Sequence, residues 1–312
     1  MIVYKEFSSL VNELGFSGKA LYSVSNNINK HYHPVKIPKG NGEFRQLYVP
    51  DEFLKSIQRR INEILLSLEE ISPYATAYHP GGSTMVNAYP HIGKPVLLKL
   101  DIRHFFDHLI YPVVKEKAFP EKRYSEQNRV LLTLLCMHKD ALPQGAPTSP
   151  TISNIIMKDF DNIIGMWCAD NQISYTRYCD DMTFSGDFDP QLVIRRVKSE
   201  LGKLRLFLND KKTVVVRKGQ KHSVTGIIVN NKLSVPVEYK KKIRQEMYYC
   251  MKFGLKSHVD FNACEKSSEE FVLCLLGRIN YVLSVEPQNK EMKKYKTWLM
   301  RQQSEKCDPD ED

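Results

Sequence analysis

Two adjacent aspartates, Asp180 and Asp181, lie between two extended apolar runs, 173–178 and 182–185. This spacing predicts a β-hairpin that carries residues 178–181 (YCDD) at its tip. Asp-Asp is favourable turn chemistry by itself, and a Y-x-D-D sequence arises by composition in about a few per cent of chains of this length. Two neighbouring carboxylates nevertheless repel each other, and a divalent cation held by hard oxygen ligands would relieve that repulsion.

A third carboxylate, Asp101, ends a predicted buried strand over 96–102 (VLLKLDI). If that strand lies in the same sheet as the hairpin, Asp101 and Asp180 converge at one edge. Three carboxylates there could hold two Mg²⁺ ions roughly 3.5–4 Å apart, an arrangement that supports in-line phosphoryl or nucleotidyl transfer. The expected cofactor is therefore a pair of Mg²⁺ ions, with Mn²⁺ as the natural substitute.

The remaining pattern is typical of an α+β fold, because a strand-rich centre is flanked by helices. A hairpin is predicted over 35–49 with Asn41-Gly42 at its turn, followed by a helix that Asp51 caps and that extends to Leu68. The other predicted helices cover 126–138, 150–168 and 190–204, and the other strands cover 213–217, 224–229 and 232–235, with Asn230-Asn231 joining the last two. From Pro236 onward the pattern predicts helices only.

Composition narrows the functional classes. Of the 312 residues, 42% are hydrophobic, which excludes wholesale disorder, and the net charge of +9 favours a polyanionic partner such as nucleic acid, although a basic soluble protein without such a partner has the same charge. The seven cysteines form no C-x-x-C pair, which argues against a disulfide framework or zinc knuckle and for the reducing cytoplasm. No apolar run approaches the roughly 20 residues of a membrane span, so no membrane partner is expected.

Further motifs follow the same order as in a known family. They are Asp-Ile-Arg-His-Phe-Phe at 101–106, Leu-Pro-Gln-Gly-Ala-Pro-Thr-Ser-Pro at 142–150, Leu-Asn-Asp-Lys-Lys-Thr at 208–213 and Val-Thr-Gly at 224–226. Together with Y-C-D-D they resemble the reverse transcriptases, in particular the bacterial retron reverse transcriptases. The N-A-x-x-H element at 87–91 and the Val-Thr-Gly element are similar to sequences that mark the retron enzymes.

The resemblance covers about residues 35–235 and implies a right-hand polymerase. The fingers would be residues 1–95 with part of 108–145. The palm, with its antiparallel sheet, would be 96–107 and 146–235. The thumb would be the helical region 236–312, which matches by position and basic charge rather than by motif.

By this resemblance Asp101, Asp180 and Asp181 are the catalytic, metal-binding carboxylates, and the Ile102 carbonyl is a further metal ligand. One ion would lower the pKa of the attacking 3′-hydroxyl and the other would neutralise the leaving pyrophosphate. Lys212 matches the family lysine near the pyrophosphate and could act as general acid. A lysine at a strand end is more often simply solvated.

The resemblance also implies a site for deoxynucleoside triphosphates. Arg45 corresponds to the fingers cation that binds the triphosphate, and Lys39 is a second candidate. Phe106, five residues after Asp101, would lie under the sugar and exclude a ribose 2′-hydroxyl, although a core role is the alternative for either phenylalanine of the pair. Gln144 and Gly145 match the P-Q-G box next to the template and sugar.

Two groups of residues are the implied RNA contacts. One consists of Asn87 and His91, although a buried histidine is the alternative at 91. The other opens the last helical region and is interleaved with tyrosines, an ordinary charged helix face being the alternative reading. Its members are Lys240, Lys241, Lys242 and Arg244.

The function implied by the resemblance is that of a retron-type RNA-directed DNA polymerase. It would bind a cognate structured noncoding RNA, prime from a guanosine 2′-hydroxyl and make branched multicopy single-stranded DNA, in antiphage defence with an accessory effector protein encoded nearby. The alternatives are a group II intron-like or diversity-generating reverse transcriptase, or a non-catalytic RNA-binding scaffold for a toxin. Three converging carboxylates argue against the scaffold, which has no use for such costly charges.

Overall fold

Alternation of apolar and polar residues produces short antiparallel strands in this chain, and longer amphipathic stretches produce helices around them. The computed structural model describes residues 3–38, 42, 44–261 and 267–304. Within them the strands are β1 (Tyr32–Pro38), β2 (Phe44–Pro50), β3 (Val96–Asp101), β4 (Ser174–Tyr178), β5 (Asp181–Gly186), β6 (Val214–Arg217), β7 (Ser223–Val224) and β8 (Ile227–Ile228).

The α-helices of the described residues flank these strands and fill the C-terminal region. They are α1 (Phe7–Leu14), α2 (Gly18–Asn26), α3 (Glu52–Ile61), α4 (Thr84–Ala88), α5 (Phe105–His108), α6 (Tyr111–Ala118), α7 (Glu126–Cys136), α8 (Ser149–Asp170), α9 (Pro190–Lys203), α10 (Val237–Phe253), α11 (Leu255–Phe261), α12 (Ser268–Val285) and α13 (Lys290–Ser304). No helix among the described residues is both long enough and apolar enough to cross a membrane.

A four-stranded sheet in the order β4-β5-β3-β6 carries the carboxylates. Every neighbouring pair in it is antiparallel, and the β3–β5 register ends with Asp101 opposite Asp181. Leu98 and Leu100 of β3 and Met182 of β5 are buried in the core, together with residues of the 22-residue helix α8. The predicted α+β class is therefore confirmed, and the expected strand and hairpin around the carboxylates are present.

The predicted N-terminal hairpin is formed by β1 and β2, which pair from Tyr32↔Pro50 to Pro38↔Phe44. Asn41, at its expected turn, lies outside the described residues. The Asp51 carboxylate accepts a hydrogen bond from the Leu54 amide at 2.8 Å and caps α3 as expected. The helix changes to a π-helical turn over Asn62–Leu66 and so ends before the predicted Leu68.

The strand expected over 224–229 is wrong. Thr225 and Gly226 have φ of 45° and 84°, so they form a turn between β7 and β8 instead of an extended run. Glycine adopts this left-handed conformation without steric cost, which explains a turn at Val-Thr-Gly. The other expected strand, 232–235, is reduced to a single bridge opposite Ile228.

The chain forms two compact units. One comprises Met1–Pro90 with Lys94–Lys218, and the other comprises His91–Gly93 with Gly219–Asp312. The expected fingers and palm thus share the first unit, whereas the residues from Gly219, assigned to the palm from the sequence, group with the helical region. The three-part division into fingers, palm and thumb stays a prediction.

A partly buried glutamate organises the second unit. The Glu286 carboxylate accepts hydrogen bonds from Lys240 Nζ at 2.7 Å, the Ser234 hydroxyl at 2.8 Å, the Val235 amide at 2.8 Å and Asn289 Nδ2 at 2.9 Å. Burial by itself raises the pKa of Glu286, but these donors outweigh it and bring the pKa down to about 2. The carboxylate therefore joins the start of α10 to the end of α12 in its charged form.

We expect Glu286→Gln to lower the free energy of unfolding by about 1–3 kcal/mol at pH 7, because it removes a charged acceptor of several partly buried hydrogen bonds. A carboxyl whose pKa is depressed in the folded state stabilises the protein above its unfolded pKa, and this contribution is lost as the pH falls towards the folded value. The difference between wild type and variant should therefore shrink from pH 6 to pH 3, as measured by urea unfolding.

Glu291→Gln is the matched control. Glu291 also accepts hydrogen bonds from a cation, Arg244, at 2.9 Å, but its side chain is 37% exposed compared with 16% for Glu286. Glu291→Gln should therefore lower the free energy of unfolding clearly less than Glu286→Gln does. Equal losses for the two variants, or a loss for Glu286→Gln that does not change with pH, would contradict the role of Glu286.

Candidate active site

The hairpin between β4 and β5 has a tight two-residue turn. Tyr178 pairs with Asp181, which leaves Cys179 and Asp180 as the turn residues. Cys179 has a φ of 61°, and Asp180 is not among the residues with positive φ. A positive φ at the first turn position is typical of a type II′ turn, where glycine is preferred. The turn is thus strained at the residue just before the aspartate pair, and it places Asp181 beside Asp101.

The end of β3 is tied to this turn and to the segment before β6. The Ile102 amide donates to the Asp180 carbonyl at 3.0 Å, while the Asn209 amide donates to the Asp101 carbonyl at 2.8 Å. Ile102 also forms an antiparallel bridge with Leu208. The Ile102 amide therefore faces the Asp180 turn, and the expected ligand role of the Ile102 carbonyl stays a prediction.

The Asp101 carboxylate is buried and already neutralised. Lys212 Nζ donates to its Oδ2 at 2.7 Å, and Asn209 Nδ2 donates to its Oδ1 at 3.2 Å. A 3₁₀ turn over Asp210–Lys212 brings the lysine to this position. The hydrogen bond from Lys212 to Asp101 raises the pKa of the ammonium group, so Lys212 is held in its protonated form next to the carboxylates.

Among the described residues, no cation forms an ion pair with either of the other two carboxylates. The pKa of Asp181 is raised to about 6, first because the surrounding protein desolvates the carboxylate and then because Asp180 and Asp101 repel it. Lys99 and Lys212 act in the opposite direction without cancelling these effects. By surface area the Asp181 side chain is exposed, so water moderates this effect. The turn therefore concentrates negative charge that a cation would stabilise.

The donor set suits a divalent cation in charge and in atom type, since carboxylate and carbonyl oxygens are the preferred ligands of Mg²⁺. Among the described residues, however, no three His, Cys, Asp or Glu side chains are arranged so that they could hold a metal ion. Asp101 accepts hydrogen bonds from Lys212 and Asn209 through both of its carboxylate oxygens.

The two phenylalanines after Asp101 divide between core and surface. Phe105 is buried, whereas Phe106 is only partly buried, and their rings lie 5.3 Å apart at 60°. Phe106 therefore has the accessible ring that contact with a nucleotide sugar requires. On the hairpin, Arg45 is exposed and lies opposite Ile37. Lys39 lies outside the described residues.

The P-Q-G segment packs against the same hairpin. The Gln144 carbonyl accepts a hydrogen bond from the Tyr48 amide at 3.0 Å. Gly145 has a φ of 129°, and a β-carbon there would lie 2.8 Å from the Tyr48 carbonyl oxygen. Only glycine fits this close approach, so the box joins β2 to the loop that precedes α8.

Comparison with known proteins decides the family. A family model described as reverse transcriptase (RNA-dependent DNA polymerase) matches residues 37–229. The chain belongs to the reverse transcriptase family. Its relatives include the Retron Ec83 reverse transcriptase of Escherichia coli, which is 36% identical over 82% of this chain and 84% of its own length. The Retron Mx65 reverse transcriptase of Myxococcus xanthus is 33% identical over 70% of this chain and 56% of its own length.

Solved structures give weaker likenesses. Telomerase from Candida albicans, in complex with a fragment of telomeric RNA, has a TM-score of 0.45 at 14% identity and covers 91% of this chain and 59% of its own. A foamy viral protease-reverse transcriptase with double-stranded DNA has a TM-score of 0.45 at 12% identity, covering 86% of this chain and 43% of its own.

The sequence relatives identify this chain as a bacterial retron-type reverse transcriptase, an RNA-directed DNA polymerase.

Within this reverse transcriptase the N-A-x-x-H element is internal. Asn87 and His91 are both buried, and the Asn87 amide oxygen accepts a hydrogen bond from the Thr76 hydroxyl at 2.8 Å. The Thr176 hydroxyl of β4 donates to the Asn87 carbonyl at 3.3 Å. Direct RNA contact by either side chain does not agree with this burial. Asn87 instead supports the strand that leads to the Y-C-D-D turn.

The basic residues at the start of α10 are not equivalent. Lys240 pairs with Glu286, and Arg244 forms two hydrogen bonds with Glu291, so both are engaged within the second unit. Both were expected to contact RNA, and this stays a prediction, since the Arg244 side chain is still 41% exposed beside Glu291. The other two, Lys241 and Lys242, are exposed and stay candidates for RNA binding.

Two residues at the site were not singled out from the sequence. Asn209 binds Asp101 through its side chain and its amide, and Arg177 lies fully buried beneath the turn. The available signal for Arg177 was a charged residue inside an otherwise uncharged strand between two aromatic residues. An arginine in such a place needs a specific partner.

We expect Asp180→Asn to leave the melting temperature in EDTA unchanged or higher by up to about 2 °C, because the substitution removes a charge that repels Asp181. The measurement is thermal unfolding of the metal-free protein.

Asp101→Asn is the paired control. It removes the buried partner of Lys212 and should lower the melting temperature by about 2–6 °C. A larger loss for Asp180→Asn than for Asp101→Asn would show that repulsion does not dominate at the turn.

Proposed function

We propose that this chain copies RNA into DNA at a metal-dependent site built from Asp101, Asp180 and Asp181. The observation that carries the proposal is the β3–β5 register, which sets Asp101 opposite Asp181 and leaves Asp180 in the adjoining turn, in a chain of the reverse transcriptase family. The raised pKa of Asp181 supports it, because carboxylates that repel each other at the end of a sheet are stabilised by bound cations.

The residues of the site divide the remaining tasks. Two Mg²⁺ ions, replaceable by Mn²⁺, would be held by the three carboxylates and the Ile102 carbonyl, where they would activate the attacking hydroxyl and neutralise the pyrophosphate. Protonated Lys212 lies beside Asp101 and donates a proton to the departing pyrophosphate. The guanidinium of Arg45 binds the triphosphate of the incoming deoxynucleotide through paired hydrogen bonds.

We assign selection of the sugar to Phe106 and contact with the template strand to the P-Q-G box. The partly exposed Phe106 ring would occupy the space that a ribose 2′-hydroxyl needs. The close approach of Gly145 to the Tyr48 carbonyl leaves the Gln144 side chain, which is only partly buried, next to the hairpin, where its amide can bind the sugar or template.

The retron relatives support a more specific role. We propose that the chain binds a cognate structured noncoding RNA, starts synthesis from a guanosine 2′-hydroxyl in that RNA, and makes branched multicopy single-stranded DNA in the cytoplasm. Exposed Lys241 and Lys242 would contribute contacts to the RNA backbone. An accessory effector protein encoded nearby and a role in antiphage defence complete the proposal.

We expect Phe106→Ala to increase the use of ribonucleotides relative to deoxynucleotides at least tenfold, because the ring no longer blocks the 2′-hydroxyl. The measurement is the ratio of kcat/KM for a matched ribo- and deoxynucleoside triphosphate on the same RNA template.

Phe105→Leu is the comparison for Phe106→Ala. Phe105 is a core residue, so this substitution should lower stability without changing the sugar ratio. If Phe106→Ala leaves the ratio within twofold of wild type, Phe106 is not the sugar gate.

The test of the function uses cells that express the chain with its native flanking DNA. We expect a short, abundant single-stranded DNA whose electrophoretic mobility changes after treatment with RNase or debranching enzyme, and which is absent with Asp180→Asn.

Other outcomes point elsewhere. Primer extension on RNA without the branched product would favour a group II intron-like or diversity-generating enzyme. RNA binding with neither activity, in folded protein, would favour the toxin scaffold. Branched DNA made by the Asp180→Asn variant would overturn the site assignment.

A further inference from the structure

Arg177 of β4 is buried completely, and so is its partner Asp161 of α8. Arg177 Nε donates to both Asp161 oxygens at 2.8 and 3.0 Å, and Nη2 donates to Oδ2 at 2.6 Å. The Tyr175 hydroxyl donates to the same carboxylate at 2.8 Å. This geometry fixes the plane of the guanidinium, because a two-point contact between two planar groups leaves little freedom of rotation.

A second contact fixes the guanidinium from the other side. Arg177 Nη2 also donates to the Asn154 amide oxygen at 3.1 Å, and Asn154 Nδ2 donates to the Ala77 carbonyl at 2.8 Å. The main chain of Arg177 is held as well, since the Thr76 amide and hydroxyl donate to its carbonyl at 2.8 and 3.0 Å. The arginine is thus anchored to α8 and to the segment beside β4.

The guanidinium of this arginine also contacts the turn itself. Arg177 Nη1 donates to the Cys179 carbonyl at 2.9 Å. That carbonyl belongs to the peptide that joins Cys179 to Asp180, and Cys179 has the unfavourable φ of 61°. The next carbonyl, that of Asp180, accepts the Ile102 amide at 3.0 Å. Two consecutive peptides of the turn are therefore held, one from within the core and one from β3.

Stability alone does not account for a buried ion pair at this place. Desolvation of two charges offsets much of their attraction, and apolar side chains of similar volume often stabilise a core at least as well. A non-glycine residue at positive φ also persists only where its surroundings determine its conformation. Both observations are explained if the arginine serves to set the orientation of the turn.

We propose that Arg177, held by Asp161 and Asn154, is a positioning residue for catalysis, which fixes the Cys179–Asp180 peptide so that the Asp180 carboxylate is aimed for the reaction. The inference rests on the proposed catalytic role of Asp180. Arg177 itself touches no substrate, because it is fully buried.

The test is steady-state extension of a DNA primer annealed to RNA by the purified full-length Arg177→Lys variant. A lysine keeps the charge for Asp161 but lacks the planar fork that reaches Asp161, Asn154 and Cys179 together. We expect kcat to fall at least tenfold, the KM for the deoxynucleotide to stay within threefold, and the Mg²⁺ concentration for half-maximal rate to rise at least threefold.

Arg123→Lys is the matched control. Arg123 is also a buried arginine of the same unit, paired with Glu69 and lying over the rings of Tyr4 and Tyr124. It contacts no part of the turn in any of these interactions. The melting temperature of Arg123→Lys should fall about as far as that of Arg177→Lys, while kcat and the Mg²⁺ requirement stay within twofold of wild type.

A second variant covers the case in which Arg177→Lys does not fold. Asn154→Ala keeps the ion pair with Asp161 and removes one contact of the guanidinium, so it should give the same changes in kcat and Mg²⁺ requirement at smaller size. The inference is overturned if the folded variants behave like Arg123→Lys, with lower melting temperature and unchanged kcat and Mg²⁺ requirement. An active Asp180→Asn variant would instead overturn the catalytic assignment on which the inference depends.

Discussion

The main constraint on the first unit is that it must hold carboxylates close together although they repel each other. Asp101, Asp180 and Asp181 are brought together by a strand register and a two-residue turn, so folding must hold like charges close to one another. The protein manages the cost unevenly. Asp101 receives Lys212 and Asn209, whereas the pKa of Asp181 stays raised by desolvation and by the charges of its neighbours. The imbalance leaves a negatively charged end of the sheet, which is what a polymerase needs for binding cations.

Much of this arrangement followed from the sequence, because it depends on local patterns. The apolar run before Asp101 and the two runs around Asp180 predicted the three strands, whereas Lys212 and Phe106 were expected near them only from the family resemblance. Local sequence patterns indicate how a segment folds and which side chains lie at its end. They are sufficient when neighbouring strands are antiparallel and the functional residues lie at strand ends.

Local patterns say least about residues whose surroundings depend on distant partners. Lys240 and Arg244 have the composition of an RNA-binding helix, but Glu286 and Glu291, more than 45 residues later, occupy them. Asn87, which the resemblance implied as an RNA contact, is buried beside β4. No periodicity reveals such pairings, since they arise only when helices and strands pack. The Val-Thr-Gly element shows a second limit of local patterns. Its apolar run was predicted to be a strand, but the glycine within it forms a turn.

The hairpin of β1 and β2 has a consequence for how this enzyme can vary. From Tyr48, whose amide is tied to Gln144, towards the turn, the described residues of the hairpin are mostly exposed, including Arg45, Ile37 and Phe44. A two-stranded ribbon of this kind adds little to the free energy of unfolding. Substitutions there are thus nearly free of thermodynamic penalty, whereas substitutions around the carboxylates are not. Preference for template or nucleotide can accordingly diverge between related enzymes at the ribbon while the catalytic sheet stays unchanged.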